Sequence, residues 1–193
     1  MDESAVAFHT PETKAQSKQW LPKGTPGPIK ARVHASRRTQ MVIAFFDSRG
    51  PIYEHYVPPG SGVNSNYIID VLTKFKRSLN KKCPDLVSGS WILHWDNAPV
   101  HSSKATQDYL ASKGIQVLPH APYSPDLAPA DFFFPKVKLE LAGQTIPGRS
   151  VKAAWERVVG TIGSAEFAGA FQAWIRRHEK CLRIKGDNVE KSE

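Results

Sequence analysis

Hydrophobic residues recur along the chain with two different periods. Residues 41–47 and 51–57 are runs rich in β-branched and aromatic side chains, and a polar turn at 48–50 separates them. Two such runs joined by a short turn predict a β-hairpin. Residues 64–80 carry apolar side chains at helical spacing, and Asn64 belongs to the residue types that cap helices. The pattern therefore predicts a hairpin followed by a helix with one core-facing side.

The middle of the chain alternates strand and helix signals. Residues 91–98 are an apolar run that ends in polar residues, and a second apolar run follows at 115–120. Between them, Ser102 or Ser103 can cap a helix that Gly114 ends. This short succession of strand, helix and strand predicts a parallel βαβ unit, and functional residues gather where parallel strands end.

The last third of the chain is predicted to be helical, following a stiff connector. Prolines 122, 125 and 129 predict an extended connector, because each fixes its own φ and disfavours helix in the residue before it. A helix is predicted to start near Asp131. Residues 151–182 have helical periodicity, and Gly160 with Gly163 predicts a break within them. We expect an α/β fold, a mixed sheet flanked by helices.

Two segments are not predicted as regular structure. Residues 10–38 are rich in Pro, Gly and Lys and lack periodicity, which indicates a long loop: either an arm that reaches DNA or a second subunit, or a disordered stretch. Residues 184–193 are predicted to be a polar tail. Residues 1–183 are expected to form a single domain.

Charge and cysteine content narrow the classes of function. The 193 residues include 26 Lys and Arg against 18 Asp and Glu, a net charge of +8. Such an excess indicates a polyanionic partner, nucleic acid first, although it can serve solubility alone. Cys83 and Cys181 match no zinc or disulfide spacing and suggest a reducing, intracellular setting. No apolar run approaches the roughly 20 residues of a membrane span, so we expect no membrane association or secretion.

Two aspartates stand at the ends of predicted elements. Asp96 ends a buried strand, Asp131 begins a helix, and 34 residues separate them. Because regular structure holds both ends of this segment, their carboxylates can meet at one edge of the sheet. Taken singly, each is better explained as a turn or cap residue.

The surrounding sequence resembles one enzyme family. The stretches HWDNAPVH around Asp96 and VLPHAPYSPDLAPAD ending on Asp131 closely resemble the two later catalytic motifs of mariner-family DNA transposases, including the spacing of 34 residues. MDES, followed by HTPETKAQSKQW, resembles the first motif and assigns the first catalytic acid to Asp2. The hairpin and the segment FAGAFQAWIRRHEKCL also resemble the family, so the resemblance covers essentially the whole chain.

The resemblance implies an RNase H-like fold and a catalytic site made of Asp2, Asp96 and Asp131. These acids would bind Mg²⁺, with Mn²⁺ as a substitute, because hard cations prefer oxygen ligands. The implied chemistry is nicking of transposon ends and transfer of the released 3′-hydroxyl to target DNA at a TA step, with no covalent protein intermediate. A homodimer on DNA and a nuclear location are implied as well.

Several neighbouring residues have two interpretations. The residues that could orient Asp96 or contact phosphate, or else satisfy backbone groups, are His94, Asn97 and His101. His94, His101 and His120 match no zinc spacing, so zinc is not expected. The basic residues that could contact DNA phosphates, or else form a solvated face, are Lys74, Lys76, Arg77, Arg176 and Arg177.

Two departures from the family leave the function open. Helix-turn-helix modules are not found, so DNA binding is expected mainly through phosphates. Only Met1 precedes Asp2, and we expect a frayed terminus that holds this acid poorly. The chain is thus either an active transposase catalytic domain or an inactive, truncated or domesticated remnant that keeps DNA binding or a protein interface. An RNase H-type nuclease unrelated to transposition is disfavoured, because the family motifs are more specific than the fold.

Overall fold

Three antiparallel strands form the larger sheet. The structure is a computed structural model that describes residues 1–27, 33–87, 91–148, 150–187 and 189. Strands β1 (Asp2–Ala7), β2 (Thr39–Asp47) and β3 (Gly50–Tyr56) lie in the order β1-β2-β3. Both neighbouring pairs are antiparallel. The predicted hairpin is therefore confirmed as β2 and β3, and β1 adds a strand on the other side of β2.

Two short parallel strands form a second sheet. They are β4 (Ile92–His94) and β5 (Gln116–Leu118), paired from Ile92 with Gln116 to His94 with Leu118. The predicted βαβ unit is confirmed, but β4 ends earlier than expected because the chain turns after Trp95 into two helices, α3 (Pro99–Ser102) and α4 (Lys104–Ser112).

Local sequence signals fix the ends of several helices. Helix α1 (Ser65–Lys82) begins after Asn64, whose side chain accepts a hydrogen bond from the Tyr67 amide, and is followed by the short α2 (Pro84–Val87). Ser103 caps α4 in the same way. The remaining helices are α5 (Ala130–Leu141), α6 (Lys152–Val159) and α7 (Ser164–Arg183). The expected break near residue 160 is confirmed by the gap between α6 and α7.

The connector before α5 differs from the expectation. It is not extended throughout, because Pro125–Leu127 form a single 3-10 turn. The fixed φ of proline suits the first position of a helical turn as well as extended chain, so Pro125 starts this turn. A helix does begin next to Asp131, as the sequence predicted.

Strand β2 separates two apolar cores. Val42 and Ala44 face a core shared with α5, α6 and α7, whose largest members are Phe133, Trp155 and Phe167. Their neighbours Ile43 and Phe45 face the opposite core, formed with α1, β4 and α4. Alternation along a strand sends successive side chains to opposite faces, so a continuous apolar run such as β2 indicates burial on both sides. The sheet is therefore covered by helices on both faces.

The amino terminus is held between the two sheets. Asp2 pairs with Ala44 in β1, and the α-amino group of Met1 donates to the carbonyl oxygen of His94 at the end of β4. The expectation of a frayed Asp2 is therefore wrong: tertiary pairing holds the strand from its first residue. Beyond Met1, an apolar cavity of about 300 Å³ lies between the ends of β2 and β4, lined among others by Phe46, Ile92 and Trp174.

The predicted loop at 10–38 contains no helix or strand in its described residues. Its start runs along the end of α5, where the Gly143 amide donates to the Thr10 carbonyl and the Gln16 side chain donates to the Ala142 carbonyl. Trp20 is fully exposed. Residues 28–32 of this loop, and residues 188 and 190–193 of the predicted tail, lie outside the described residues. Within the described chain, no helix is long and apolar enough to cross a membrane.

Candidate active site

Asp2 lies at the junction of the two sheets, largely enclosed by protein. Its Oδ1 accepts a hydrogen bond from the Glu3 amide at 2.7 Å. Burial raises the pKa of Asp2 to about 6; the bond from the Glu3 amide opposes this shift, and the negative charges of Glu3 and Asp96 add to it. Asp96, 94 positions further along the sequence, is thus near enough to Asp2 for its charge to contribute to the raised pKa.

Asp131 shares a cavity with Asp2. It is exposed in the first turn of α5, and both acids line a cavity of about 230 Å³ with Lys138 at its wall. The turn at Pro125–Leu127 sets where α5 starts. Side chains of α7 hold this connector, because Trp174 and Arg177 both donate hydrogen bonds to its backbone carbonyls.

Asp96 follows β4 by two residues and is anchored by one oxygen. Its Oδ1 accepts from the Ala98 amide at 3.1 Å and contacts Nδ1 of His101 at 2.8 Å. The carboxylate is nevertheless 53% exposed. Backbone and imidazole thus hold one side of the group while the other side faces solvent.

His101 is buried between two acids. Its Nδ1 contacts Asp96 and its Nε2 lies 2.9 Å from Oε1 of Glu3, while the ring stacks on Trp95 with centroids 4.3 Å apart. Burial by itself lowers the pKa of His101, but the hydrogen bond to Glu3 and the charges of Glu3 and Asp96 outweigh it, so the pKa is raised. Ligand atoms of Glu3, Asp96 and His101 lie within 4.8 Å of one another, the sole such grouping of three in the described residues.

The other two predicted neighbours of Asp96 point elsewhere. The His94 ring contacts His120 at 3.2 Å, and Asn97 donates to the His120 carbonyl at 2.9 Å. Burial lowers the pKa of His94 to about 4, with further contributions from the Met1 ammonium group, His120 and His178. Of the three neighbours that the sequence suggested, His101 is thus the one whose side chain contacts the Asp96 carboxylate.

Sequence reasoning missed Glu3. As the immediate neighbour of Asp2 in a strand, it points to the opposite face of the sheet, where α3 presents His101. The sequence signal was the second acid in MDES, and its significance depends on a contact between residues 98 positions apart. Such a contact cannot be read from local pattern.

The predicted DNA-contacting residues differ in their surroundings. Lys74 forms an ion pair with Asp70 one helical turn away, and Lys76 is half-buried. Arg77 and Arg176 are exposed. Arg177 is half-buried, and its Nη2 donates to the Ala128 carbonyl at 3.1 Å, which ties this side chain to the connector before Asp131.

Comparison with known proteins identifies relatives over nearly the whole chain. Residues 10–88 match the family model described as a transposase with a partial DDE domain. The mariner Mos1 transposase of Drosophila mauritiana is 30% identical over 98% of this chain, which spans 55% of that protein. The chain thus spans about half the length of this relative.

Solved structures agree with this match. A pre-cleavage Mos1 transpososome superposes with a TM-score of 0.85, at 30% identity, over 96% of this chain and 55% of that one. The Mos1 catalytic domain, in a structure with Raltegravir and Mn, gives a TM-score of 0.74 at 31% identity, over 78% of this chain and 77% of that one. The α/β class and the RNase H-like fold expected from the sequence are confirmed. This chain belongs to the mariner transposase family and has the fold of the family's catalytic domain.

Proposed function

We propose that this chain is the catalytic domain of a DNA transposase, which hydrolyses phosphodiester bonds at transposon ends and transfers the released DNA strand in a metal-dependent reaction. The observation that carries the proposal is the cavity that Asp2 and Asp131 share, close to the charge of Asp96. Asp2 and Asp131 line one cavity, and the charge of Asp96 adds slightly to the rise in the pKa of Asp2 that burial causes. The proposal assigns the metal-binding carboxylates to these three acids.

The donor set fits a divalent metal ion. Asp2, Asp96 and Asp131 offer carboxylate oxygens, the ligands that Mg²⁺ prefers, with Mn²⁺ as a substitute. The raised pKa of Asp2 reflects a partly buried negative charge beside other acids, a situation that a bound cation relieves. When bound, such ions activate an attacking water or 3′-hydroxyl and stabilise the leaving oxygen at phosphorus.

The three acids would contribute differently. Asp2 is the most enclosed and is fixed by strand pairing with Ala44, so it provides a rigid ligand. Asp96 is held by one oxygen, and Asp131 is exposed at the cavity wall. An exposed acid next to the cavity suits a site that must admit DNA. His94 and Asn97 would act more remotely, through the His120 contacts that shape the loop after β5.

DNA is the proposed partner, as transposon ends and TA-containing target. The net charge of +8 and the exposed Arg77 and Arg176 support phosphate binding, with Lys74, Lys76 and Arg177 as further candidates. Mos1 transposase, which this chain resembles, is seen in a transpososome and in a paired-end complex. This similarity supports a homodimer on DNA for this chain. The exposed Trp20 in the loop at 10–38 offers a surface for the second subunit. We propose a nuclear location, because the substrate is chromosomal DNA.

Nicking of a supercoiled plasmid tests the proposal. Wild type, Asp2→Asn, Asp96→Asn and Asp131→Asn are compared in Mg²⁺, Mn²⁺ and EDTA, with the exposed Asp70→Asn as the matched control. We expect nicking by wild type and the control in either metal, and loss of at least about a hundredfold in the three site variants. Nicking retained in those variants would refute the assignment of the acids. No nicking by wild type in either metal would favour the inactive remnant.

A further inference from the structure

A continuous hydrogen-bonded chain of side chains runs from Glu3 in β1 to Asp96, which follows β4 in the sequence. Oε1 of Glu3 lies 2.9 Å from Nε2 of His101, and Nδ1 of His101 lies 2.8 Å from Oδ1 of Asp96. We infer that Glu3 and His101 are positioning residues that fix the Asp96 carboxylate for metal binding, with Glu3 acting through His101. This inference rests on the proposed function, because it assigns Asp96 as a metal ligand.

Glu3 and Asp96 hold the His101 ring from opposite sides. Nε2 faces the Glu3 carboxylate on the side away from the site, and Nδ1 faces the Asp96 carboxylate. Because Glu3 fixes the orientation of the ring, it also fixes the direction from which Nδ1 approaches Asp96.

The surroundings of His101 restrict how the ring can move. The side chain is 1% exposed, and the ring lies flat on Trp95 with an interplanar angle of 3°. Its own backbone carbonyl accepts a hydrogen bond from the Gln107 side chain at 2.7 Å. A ring held on its face, at both nitrogens and at its backbone is a rigid support for the carboxylate that it contacts.

The chain leaves one oxygen of Asp96 available. Oδ1 receives both the Ala98 amide and His101, whereas the carboxylate as a whole is 53% exposed. Because Oδ1 makes both contacts, Oδ2 is the oxygen that can bind a cation. A ligand held in one rotamer loses less entropy when it binds a cation, so we expect the chain to increase metal affinity.

The same three residues could instead ligate an ion directly, since their ligand atoms lie within 4.8 Å of one another. Both nitrogens of His101, however, already contact carboxylate oxygens at hydrogen-bonding distance. A metal on either nitrogen would have to displace one of these acids. The observed distances therefore favour support of Asp96 over direct ligation by His101.

The test is a measurement of Mn²⁺ binding, which does not depend on activity. The full chain is titrated with MnCl₂ and followed by electron paramagnetic resonance. The variants are Glu3→Gln, His101→Phe and the double variant, with Glu140→Gln and His34→Phe as exposed controls. Phenylalanine keeps the ring on Trp95 and removes both nitrogens. We expect His101→Phe to weaken Mn²⁺ binding about ten- to a hundredfold, the range seen when an outer partner of a metal ligand is removed. Glu3→Gln should weaken it less.

The double variant tests whether Glu3 acts through His101. We expect Mn²⁺ affinity in the double variant to equal that of His101→Phe, whereas independent roles would make the two losses multiply. If His101→Phe fails to fold, as judged by near-ultraviolet circular dichroism, Glu3→Gln alone decides the outcome. Wild-type affinity in Glu3→Gln would then overturn the inference.

Two further results separate this inference from the proposed function. Unchanged Mn²⁺ binding in Asp96→Asn overturns the proposed metal site, and the positioning role falls with it. Weakened binding in Asp96→Asn together with wild-type affinity in Glu3→Gln and His101→Phe overturns the positioning role alone. Electron spin echo modulation from an imidazole nitrogen on bound Mn²⁺, lost in His101→Phe, would show direct ligation and also overturn it.

Discussion

The indole Nε1 of Trp174 donates a hydrogen bond to the backbone carbonyl of Leu127 at 2.6 Å. Arg177, one helical turn further along α7, donates to the carbonyl of Ala128 at 3.1 Å. These carbonyls belong to the connector that immediately precedes α5 and Asp131. The long C-terminal helix therefore has a second task besides core packing: it fixes the backbone from which the third acid projects.

Replacing Trp174 with phenylalanine should disturb the site more than the fold. The change removes the N–H donor while keeping an aromatic ring against Phe171. We expect a loss of about 1 kcal/mol in the free energy of unfolding, the usual net value of one hydrogen bond. Nicking should fall about tenfold or more, because small misplacements of catalytic groups are costly.

Chemical denaturation and plasmid nicking, measured on the same preparation, check this prediction. Leu182→Ala is the control, because this side chain of α7 is 80% exposed. If the nicking rate of Trp174→Phe decreases only in proportion to its loss of folded protein, the positioning of Asp131 by α7 is contradicted.

Local signals predicted local structure well. The sequence predicts Asn64, and either Ser102 or Ser103, as helix caps, and the structure has Asn64 and Ser103, because such side chains bond to amides only three residues away. The strand at Asp2 was missed because its partner Ala44 is 42 positions distant and its other neighbour, His94, further still. The pattern of apolar residues carries no information about such pairings.

Only the site residues that lie in the most specific sequence motifs could be predicted. Asp2, Asp96 and Asp131 were identified by resemblance, and the structure brings Asp2 close enough to the other two to share a cavity or feel their charge. Glu3 and Trp174 were not identified, since their importance depends on which distant atoms they contact. The sequence predicts Arg177 either as a phosphate contact or as part of a solvated face, and its hydrogen bond to the Ala128 carbonyl could not be predicted, because sequence does not show which arginines are half-buried.

Asp2→Asn should stabilise the metal-free protein above pH 6. The pKa of Asp2 is raised from 3.8 to about 6, chiefly by burial, so the folded state binds more protons than the unfolded state between these values. Stability contributed by this group is therefore present at low pH and is lost as pH rises from about 4 to 6. The shift corresponds to about 2 to 3 kcal/mol, which asparagine avoids because it carries no charge.

Thermal unfolding in EDTA from pH 4 to 8 checks the direction of this change in stability with pH. Wild type should lose stability between pH 4 and 6 relative to Asp2→Asn, with Asp70→Asn behaving as wild type. The Met1 amino group, whose pKa burial lowers to about 6, acts in a separate window between pH 6 and 8. Added Mg²⁺ should stabilise wild type and not Asp2→Asn. Parallel pH profiles for wild type and Asp2→Asn would contradict the raised pKa.

Extending the amino terminus should fill the apolar cavity beside Met1. Continuing the antiparallel register of Asp2 with Ala44 would place Met1 opposite Phe45 and two added residues opposite Phe46 and Asp47. We expect Gly-Val-Val placed before Met1 to bury one of its two valines in the cavity of about 300 Å³, because successive strand side chains point to opposite faces. Burial of one valine contributes about 1.5 to 3 kcal/mol, so the melting temperature should rise by several degrees.

A Gly-Gly-Gly extension is the matched control. It also converts the α-amino group of Met1 to an amide that can still donate to the His94 carbonyl, but it supplies no apolar side chain. The difference in melting temperature between the two extensions isolates the effect of cavity filling. Equal melting temperatures would show that the cavity does not accept strand residues. Faster nicking with Gly-Val-Val would show that anchoring β1 also improves the placement of Asp2.

Arg176→Ala should weaken DNA binding by removing a phosphate contact. Arg176 is exposed on α7, and the net charge of +8 makes counterion release the expected source of affinity. We expect the slope of log affinity against log salt concentration to become shallower by about 0.9 for one lost contact, equally for transposon-end and unrelated duplexes. Lys104→Ala is the control, since Lys104 forms an ion pair with Asp108 on α4. Fluorescence anisotropy at several salt concentrations measures both slopes, and an unchanged slope for Arg176→Ala would remove this residue from the DNA-binding face.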